Sequence, residues 1–283
     1  MKNILIRTFS GIVYIALFIG SLLAGGYWFW WFTVVLLFIA VYEYLRLVQA
    51  HFGEKASAII YVPVALGAFC LNLFSFNVIW AYYSIGLLCL FFLFWPILIC
   101  AMVCSRLKDP ISTLGNAFLA IPYIAIPLTM LNIVYRMPFG MELILISLVA
   151  IWVNDTGAYC VGCTFGRHRL CERLSPKKSW EGFWGGFAFV VLGMIIFALC
   201  KGYNCYTIII FGIYGAVISV LATFGDLYES MLKRRAGVKD SGKIIPGHGG
   251  VLDRIDSLLL VSYAIVIMEY ILQILKPFFN IPL

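Results

Sequence analysis

Charge is what this chain has least of: only 12% of its 283 residues are Asp, Glu, Lys or Arg, against 63% hydrophobic and 17% aromatic. Surface of that kind cannot face water, which excludes a soluble globular protein. Polar stretches long enough for a separate soluble domain are also missing. Apolar runs of about 20 residues recur along the whole length, so the spans themselves are the expected fold, an all-α polytopic membrane protein. No cleavable signal peptide is evident, because the apolar run 9–24 is followed almost at once by another, as in a helical hairpin. A second cysteine pair at metal-ligand spacing is absent too. Cys160 and Cys163, with Cys171 nearby, therefore make a weak zinc signal, and Cys70, Cys89, Cys100, Cys160 and Cys200 fall inside apolar runs, where cysteine packs as a small hydrophobe.

About nine transmembrane helices are expected, at 9–24, 27–45, 56–74, 78–103, 111–135, 141–161, 183–200, 206–224 and 255–275. The fifth carries Pro122 and Pro127, which remove helix hydrogen bonds and should kink or split it. Loop charge tests the count independently of hydropathy. Threaded through nine spans, 17 of the 20 Lys and Arg fall on one side, and only Arg136, Lys201 and Lys276 fall on the other. The positive-inside rule then puts the N-terminus and two long polar loops in the cytoplasm. Tyr27, Trp28, Phe29, Trp30 and Trp31 read as an interfacial anchor at the outer end of the second span. Glu43 and Arg46, near its inner end, can pair on one helix face and are assigned no chemistry.

What polarity exists is concentrated. The sixth span ends in Asn154, Asp155, Thr156 and Gly157, and an aspartate there is expensive unless it faces a cavity, a cation or a partner. The loop that follows carries Ser175, Pro176, Lys177, Lys178, Ser179, Trp180, Glu181 and Gly182, two lysines flanked by hydroxyls beside a helix start. That composition suits anionic oxygens, although positive-inside anchoring explains the cations by themselves. The longest polar run follows the eighth span. If that helix continues, Asp226, Glu229, Ser230 and Lys233 share one face. Beyond a Gly-rich turn, Asp253 and Asp256 lie three apart on the next helix; one acid would suffice as a cap, and Asp226 adds a third hard oxygen donor. Three carboxylates among Lys233, Arg234, Arg235, Lys239, Lys243 and Arg254 suggest a site for Mg2+ and phosphates.

At these residues the chain resembles the phosphatidate cytidylyltransferase family, also called CDP-diacylglycerol synthases. The family signature of serine, Lys-Arg, Lys-Asp, His-Gly-Gly, Asp-Arg and a last Asp is met at its spacing. Here it is Ser230, Lys233 and Arg234, Lys239 and Asp240, His248, Gly249 and Gly250, Asp253 and Arg254, then Asp256. The segments 154–159 and 175–182 also look like the family's bacterial members, so clear motifs cover roughly the C-terminal half. Residues 1–140 are expected to form an N-terminal transmembrane region with no transferable motif, and 141–283 a C-terminal transmembrane catalytic region. The resemblance implies transfer of the cytidylyl group of CTP to phosphatidic acid, giving CDP-diacylglycerol and pyrophosphate. It implies Mg2+, with room for a second cation, on Asp226, Asp253 and Asp256. It also implies a homodimer in the cell inner membrane whose site faces the cytoplasm, with CTP, phosphatidic acid and the lipid bilayer as partners and no nucleic acid. On this reading Lys177, Lys178, Lys233, Lys239 and Arg254 stabilise phosphates and Ser230 supports them. Asp155, Ser175, His248, Gly249 and Gly250 line the substrate.

Two rival readings remain at this point. A CTP-dependent transferase acting on another membrane lipid would carry the same headgroup chemistry. An ion-coupled transporter would hold its ionisable groups near mid-membrane, whereas here most sit in two loops on one side.

Overall fold

The computed structural model of the chain describes residues 2–50, 58–73, 75, 109–247 and 249–279. The expected fourth span, 78–103, and His248 lie outside them. Among the described residues, six helices are long and apolar enough to cross a membrane: Gly26–Ala50, Ile111–Tyr135, Gly140–Phe165, Trp180–Cys200, Cys205–Arg235 and Leu252–Pro277, with shorter apolar helices at Phe9–Ala24 and Ile60–Leu73. The protein is thus a multi-pass, mainly helical membrane protein. Two compact units divide it, Met1–Ile133 with Leu232–Ile255, and Val134–Met231 with Asp256–Leu283.

In the first unit, α1 (Lys2–Ala24) and α2 (Gly26–Ala50) form a hairpin, followed by α3 (Ala58–Leu73) and α4 (Pro110–Ala120). Asp109 caps α4 by accepting from Ser112 N at 3.0 Å, with Pro110 in the first turn where no N–H is needed. The sequence predicts a kink or a split at Pro122 and Pro127, but the helix does not split there. It passes through a π turn at Ile121–Ala125 into α5 (Ile126–Tyr135), the N–H of Ile126 donating to Ile121 O. The wider turn absorbs the residue that lacks an N–H and keeps 111–135 one continuous span. Asn132 Nδ2, buried, donates to Thr33 Oγ1 at 2.7 Å, a polar link between α2 and α5.

In the second unit, α6 (Gly140–Phe165) is joined to α7 (Trp180–Cys200) by an antiparallel hairpin of β1 (Arg169–Cys171) and β2 (Ser175–Ser179). The polar loop expected here therefore contains a short two-stranded sheet within an otherwise helical fold. The two helices pack backbone to backbone through small residues. A Cβ on Gly186 would stand 2.6 Å from Asn154 O, and one on Gly182 2.7 Å from Ala158 O. Small residues let helices in lipid approach closely enough for dispersion contacts to hold them. The long α8 (Cys205–Arg235) runs past the apolar stretch that ends near residue 224, and α9 (Leu252–Phe279) closes the chain.

Candidate functional site

Two polar constructions carry the residues that the sequence singles out, one in each unit. In the second unit the close crossing of α8 and α9 does the assembling. Gly225 lies so near α9 that a Cβ there would sit 2.7 Å from Asp256 O and 2.9 Å from Ser257 Cα. Ser257 Oγ donates to Ala222 O at 3.0 Å across the same crossing. As a result Asp226, Glu229 and Asp256 each bring a carboxylate oxygen within 4.8 Å of the other two. Glu229 is fully buried. Ser230 Oγ donates to Asp226 Oδ1 at 3.2 Å, one helical turn away, and Lys178 Nζ pairs with Asp226 Oδ2 at 2.6 Å.

Lys178 comes from β2, and the hairpin is fixed at its base. Ser179 caps α7 by accepting from Gly182 N at 3.1 Å. Glu181, in the first turn of α7, accepts from Arg167 N at 3.1 Å and from His168 N at 3.2 Å, and it pairs with His168 Nδ1 at 2.6 Å. The acid that anchoring alone left unexplained thus ties the start of the hairpin to the helix that follows. Behind the hairpin lies a cavity of about 570 Å³, lined among others by Asp155, Arg169, Lys177, Lys178, Thr223 and Asp226. Asn154 is buried beside it and accepts from Ser219 Oγ at 2.6 Å, a packing role next to Asp155, which faces the cavity. Ser175 opens β2 and is half-buried.

In the first unit the segment after α8 forms a cationic loop. Lys239, Lys243 and Arg254 line a cavity of about 580 Å³ with Asp240 and the turn glycines Gly247 and Gly249. Gly249 has φ +85°, and a Cβ there would also stand 2.6 Å from Asp253 Oδ2, so two independent constraints require glycine. Asp253 is 5% exposed and heavily engaged. Its Oδ1 receives Lys233 Nζ at 2.7 Å; its Oδ2 receives Ser241 N at 2.9 Å, Ser241 Oγ at 2.9 Å and Gly250 N at 2.8 Å.

Of the three expected metal ligands, Asp226 and Asp256 therefore converge, and Glu229 stands with them. Asp253 serves the loop. Glu229 was legible as a member of the face holding Asp226 and Ser230, but that face alone did not distinguish a ligand from a solvated acid. The group fits a divalent cation on its own chemistry: three carboxylates converge, one of them fully buried, and together they offer the hard oxygen ligands that such a cation takes, with Lys178 paired to Asp226 alongside.

Positions 5–274 match the model of a cytidylyltransferase family. The chain is 41% identical to a phosphatidate cytidylyltransferase of Thermotoga maritima over 173 residues, 59% of this chain and 64% of that protein. It is 31% identical to one of Staphylococcus haemolyticus over 265 residues, 90% of this chain and 95% of that protein. One of Staphylococcus saprophyticus is 32% identical over 263 residues, again 90% and 95%.

Proposed function

We propose that this chain, which belongs to the cytidylyltransferase family, transfers the cytidylyl group of CTP to phosphatidic acid in phospholipid biosynthesis. The observation that carries the reading is the carboxylate group of Asp226, Glu229 and Asp256, set beside a cavity into which Arg169, Lys177 and Lys178 project their charge. Carboxylates for a hard cation next to side-chain cations for phosphate oxygens are what a reaction between two phosphates needs.

The phosphate of phosphatidic acid attacks the α-phosphorus of CTP. A new P–O bond forms there, the bond to the β-phosphate breaks, and pyrophosphate leaves with the electron pair. That nucleophile is already anionic near neutral pH, so no strong general base is required, and His248 is given none. The work left to the protein is alignment and charge neutralisation. Lys177 and Lys178 receive phosphate oxygens at the hairpin. Lys233, Lys239 and Arg254 receive those of the nucleotide at the loop, whose backbone Gly249 and Gly250 shape. Within the other unit, Ser175 shapes the hairpin and Ser230 steadies Asp226. Asp155 sets the polarity of the cavity wall. Mg2+, held by Asp226, Glu229 and Asp256, supplies further neutralisation of phosphate charge when bound. Asp253 enters the reading as the anchor that aims Lys233 and fixes the loop.

The same reading includes nine spans, with 78–103 as the fourth, a catalytic region at 141–283, a homodimer, and an inner-membrane location with both polar loops in the cytoplasm, where CTP is found. Loop charge supports that orientation. The test is purified protein in detergent with labelled CTP and a panel of lipids. CDP-diacylglycerol with stoichiometric pyrophosphate is expected from phosphatidic acid; product only from another lipid phosphate, or none, overturns the assignment. In a cysteine-free background, single cysteines at positions 175 and 241 should be shielded from an impermeant reagent outside intact cells, and one at 204 should react. Labelling of 175 and 241 on opposite sides defeats the proposed orientation.

A further inference from the structure

Within the first unit, one acid of α2 has no part in the chemistry above and yet is built into the loop. Glu43 is 1% exposed, inside a helix long and apolar enough to cross a membrane. Its Oε1 accepts from Val251 N at 3.2 Å, and its Oε2 accepts from Leu252 N at 2.8 Å and from Ser241 Oγ at 3.2 Å. Leu252 is the first residue of α9, so the carboxylate lies at a helix start, where main-chain N–H groups lack intrahelical partners and the helix dipole favours an anion. An acid within a span needs such partners.

Two glycines are explained by this carboxylate. A Cβ on Gly242 would fall 2.1 Å from Glu43 Oε1; one on Gly250 would fall 2.5 Å from Oε2 and 2.6 Å from Oε1. The adjacent pair Gly249 and Gly250 thus answers different needs, a left-handed backbone at the first and room for a side chain from α2 at the second. Ser241 joins Glu43 to Asp253. Its hydroxyl lies within hydrogen-bond distance of both carboxylates, 3.2 and 2.9 Å, and its single proton can serve one of them at a time. Between them the two acids grip Ser241, Gly250, Val251 and Leu252. Lys239, Lys243 and Arg254 stand on the backbone so held and line its cavity.

We infer that Glu43 is a positioning residue for the nucleotide: through Ser241, Val251 and Leu252 it fixes the loop that presents Lys239, Lys243 and Arg254 to the CTP phosphates. This rests on the cytidylyltransferase reading for the identity of the ligand, though not for the grip itself. Gln at position 43 has nearly the same volume but only one acceptor oxygen. Its amide group would meet one of the two main-chain N–H groups as another donor and leave that N–H without a partner.

The experiment uses the full chain in detergent, as parent, Glu43→Gln and the milder Ser241→Ala, which removes the shared hydroxyl should the first variant extract poorly. Trypsin cleavage after the exposed Lys239 and Lys243 reports loop order without any turnover. We expect cleavage about tenfold faster in Glu43→Gln and, in the transfer assay, a KM for CTP about tenfold higher with the KM for phosphatidic acid unchanged. Ser241→Ala should move both readouts in the same direction and less far. Parental cleavage and parental KM for CTP in either folded variant overturn the inference. So does a loss of yield and melting temperature with both readouts unmoved, which would mark Glu43 as structural only. A parent that transfers nothing from CTP sinks the functional reading instead; the cleavage rates then decide whether Glu43 holds the loop.

Discussion

The protein keeps two sets of carboxylates near the ends of its helices and treats them in opposite ways. Glu43 and Asp253 collect main-chain N–H groups, a serine and a lysine, so their charge is spent inside the fold. Asp226, Glu229 and Asp256 face one another, with Lys178 in contact with Asp226. Acids of the first kind shape a loop. Acids of the second kind create a concentration of negative charge that a cation from outside can relieve. The same side-chain type thus serves as scaffold where it gathers donors from a loop, and offers a cation site where carboxylates converge.

Substitutions that remove charge while keeping shape separate the two sets most sharply. Asp226→Asn and Asp256→Asn should each lower turnover at least about a hundredfold in protein that melts like the parent, with residual activity needing more Mg2+ to saturate. A parental Mg2+ titration in both variants would erase the distinction. Asp253→Asn comes next. It breaks a pair whose members are 13% and 5% exposed, which should destabilise by about 3 kcal/mol and lower turnover tenfold or more. Its Mg2+ titration should stay parental, and a rightward shift would move Asp253 into the ligand set.

Gly225→Ala probes the ligand set by geometry alone. The added methyl meets Asp256 O at 2.7 Å, so α8 and α9 must part, at about 1–3 kcal/mol and roughly a fivefold loss of turnover. Turnover and stability both at parental values would show that the crossing has slack. Glu181→Gln should have the smallest effect. The amide keeps an acceptor for Arg167 N and His168 N but loses the charge facing His168, so turnover should fall about twofold with little change in melting. A tenfold loss would mean that the hairpin carries a share of the catalytic alignment comparable to that of Asp253.

Much of this was readable in the chain, and what escaped did so for physical reasons. Long apolar runs located the six membrane-crossing helices found among the described residues, because lipid requires them. Their ends were less visible: α8 continues to Arg235, beyond the apolar stretch, since a helix persists in polar residues that hydropathy counts as loop. The prolines at 122 and 127 signalled a disturbed helix, but a π turn relieves them without a break, and periodicity does not encode that choice. The hairpin at 169–179 is too short and too charged to show strand alternation. Asp226 and Asp256 stood out as isolated acids near a signature. Glu43 looked like half of a local pair with Arg46, because its partners lie some two hundred residues downstream, at Ser241, Val251 and Leu252. Contacts of that range leave no local pattern.

The length of α8 also sets a depth. At about 1.5 Å per residue its 31 residues reach some 46 Å, and Asp226 stands roughly 32 Å from the end at Cys205, close to the ~30 Å of a bilayer's hydrocarbon. On the proposed orientation, a helix of this length would act as a ruler that brings its acid to the plane where the phosphates of one leaflet lie. A phosphatidic acid molecule can then drift in sideways with both tails still in oil, and only the water-soluble partner has to travel to the meeting point. The energetic burden of lifting a two-chain lipid out of the membrane, about 0.8 kcal/mol for each methylene exposed, does not arise.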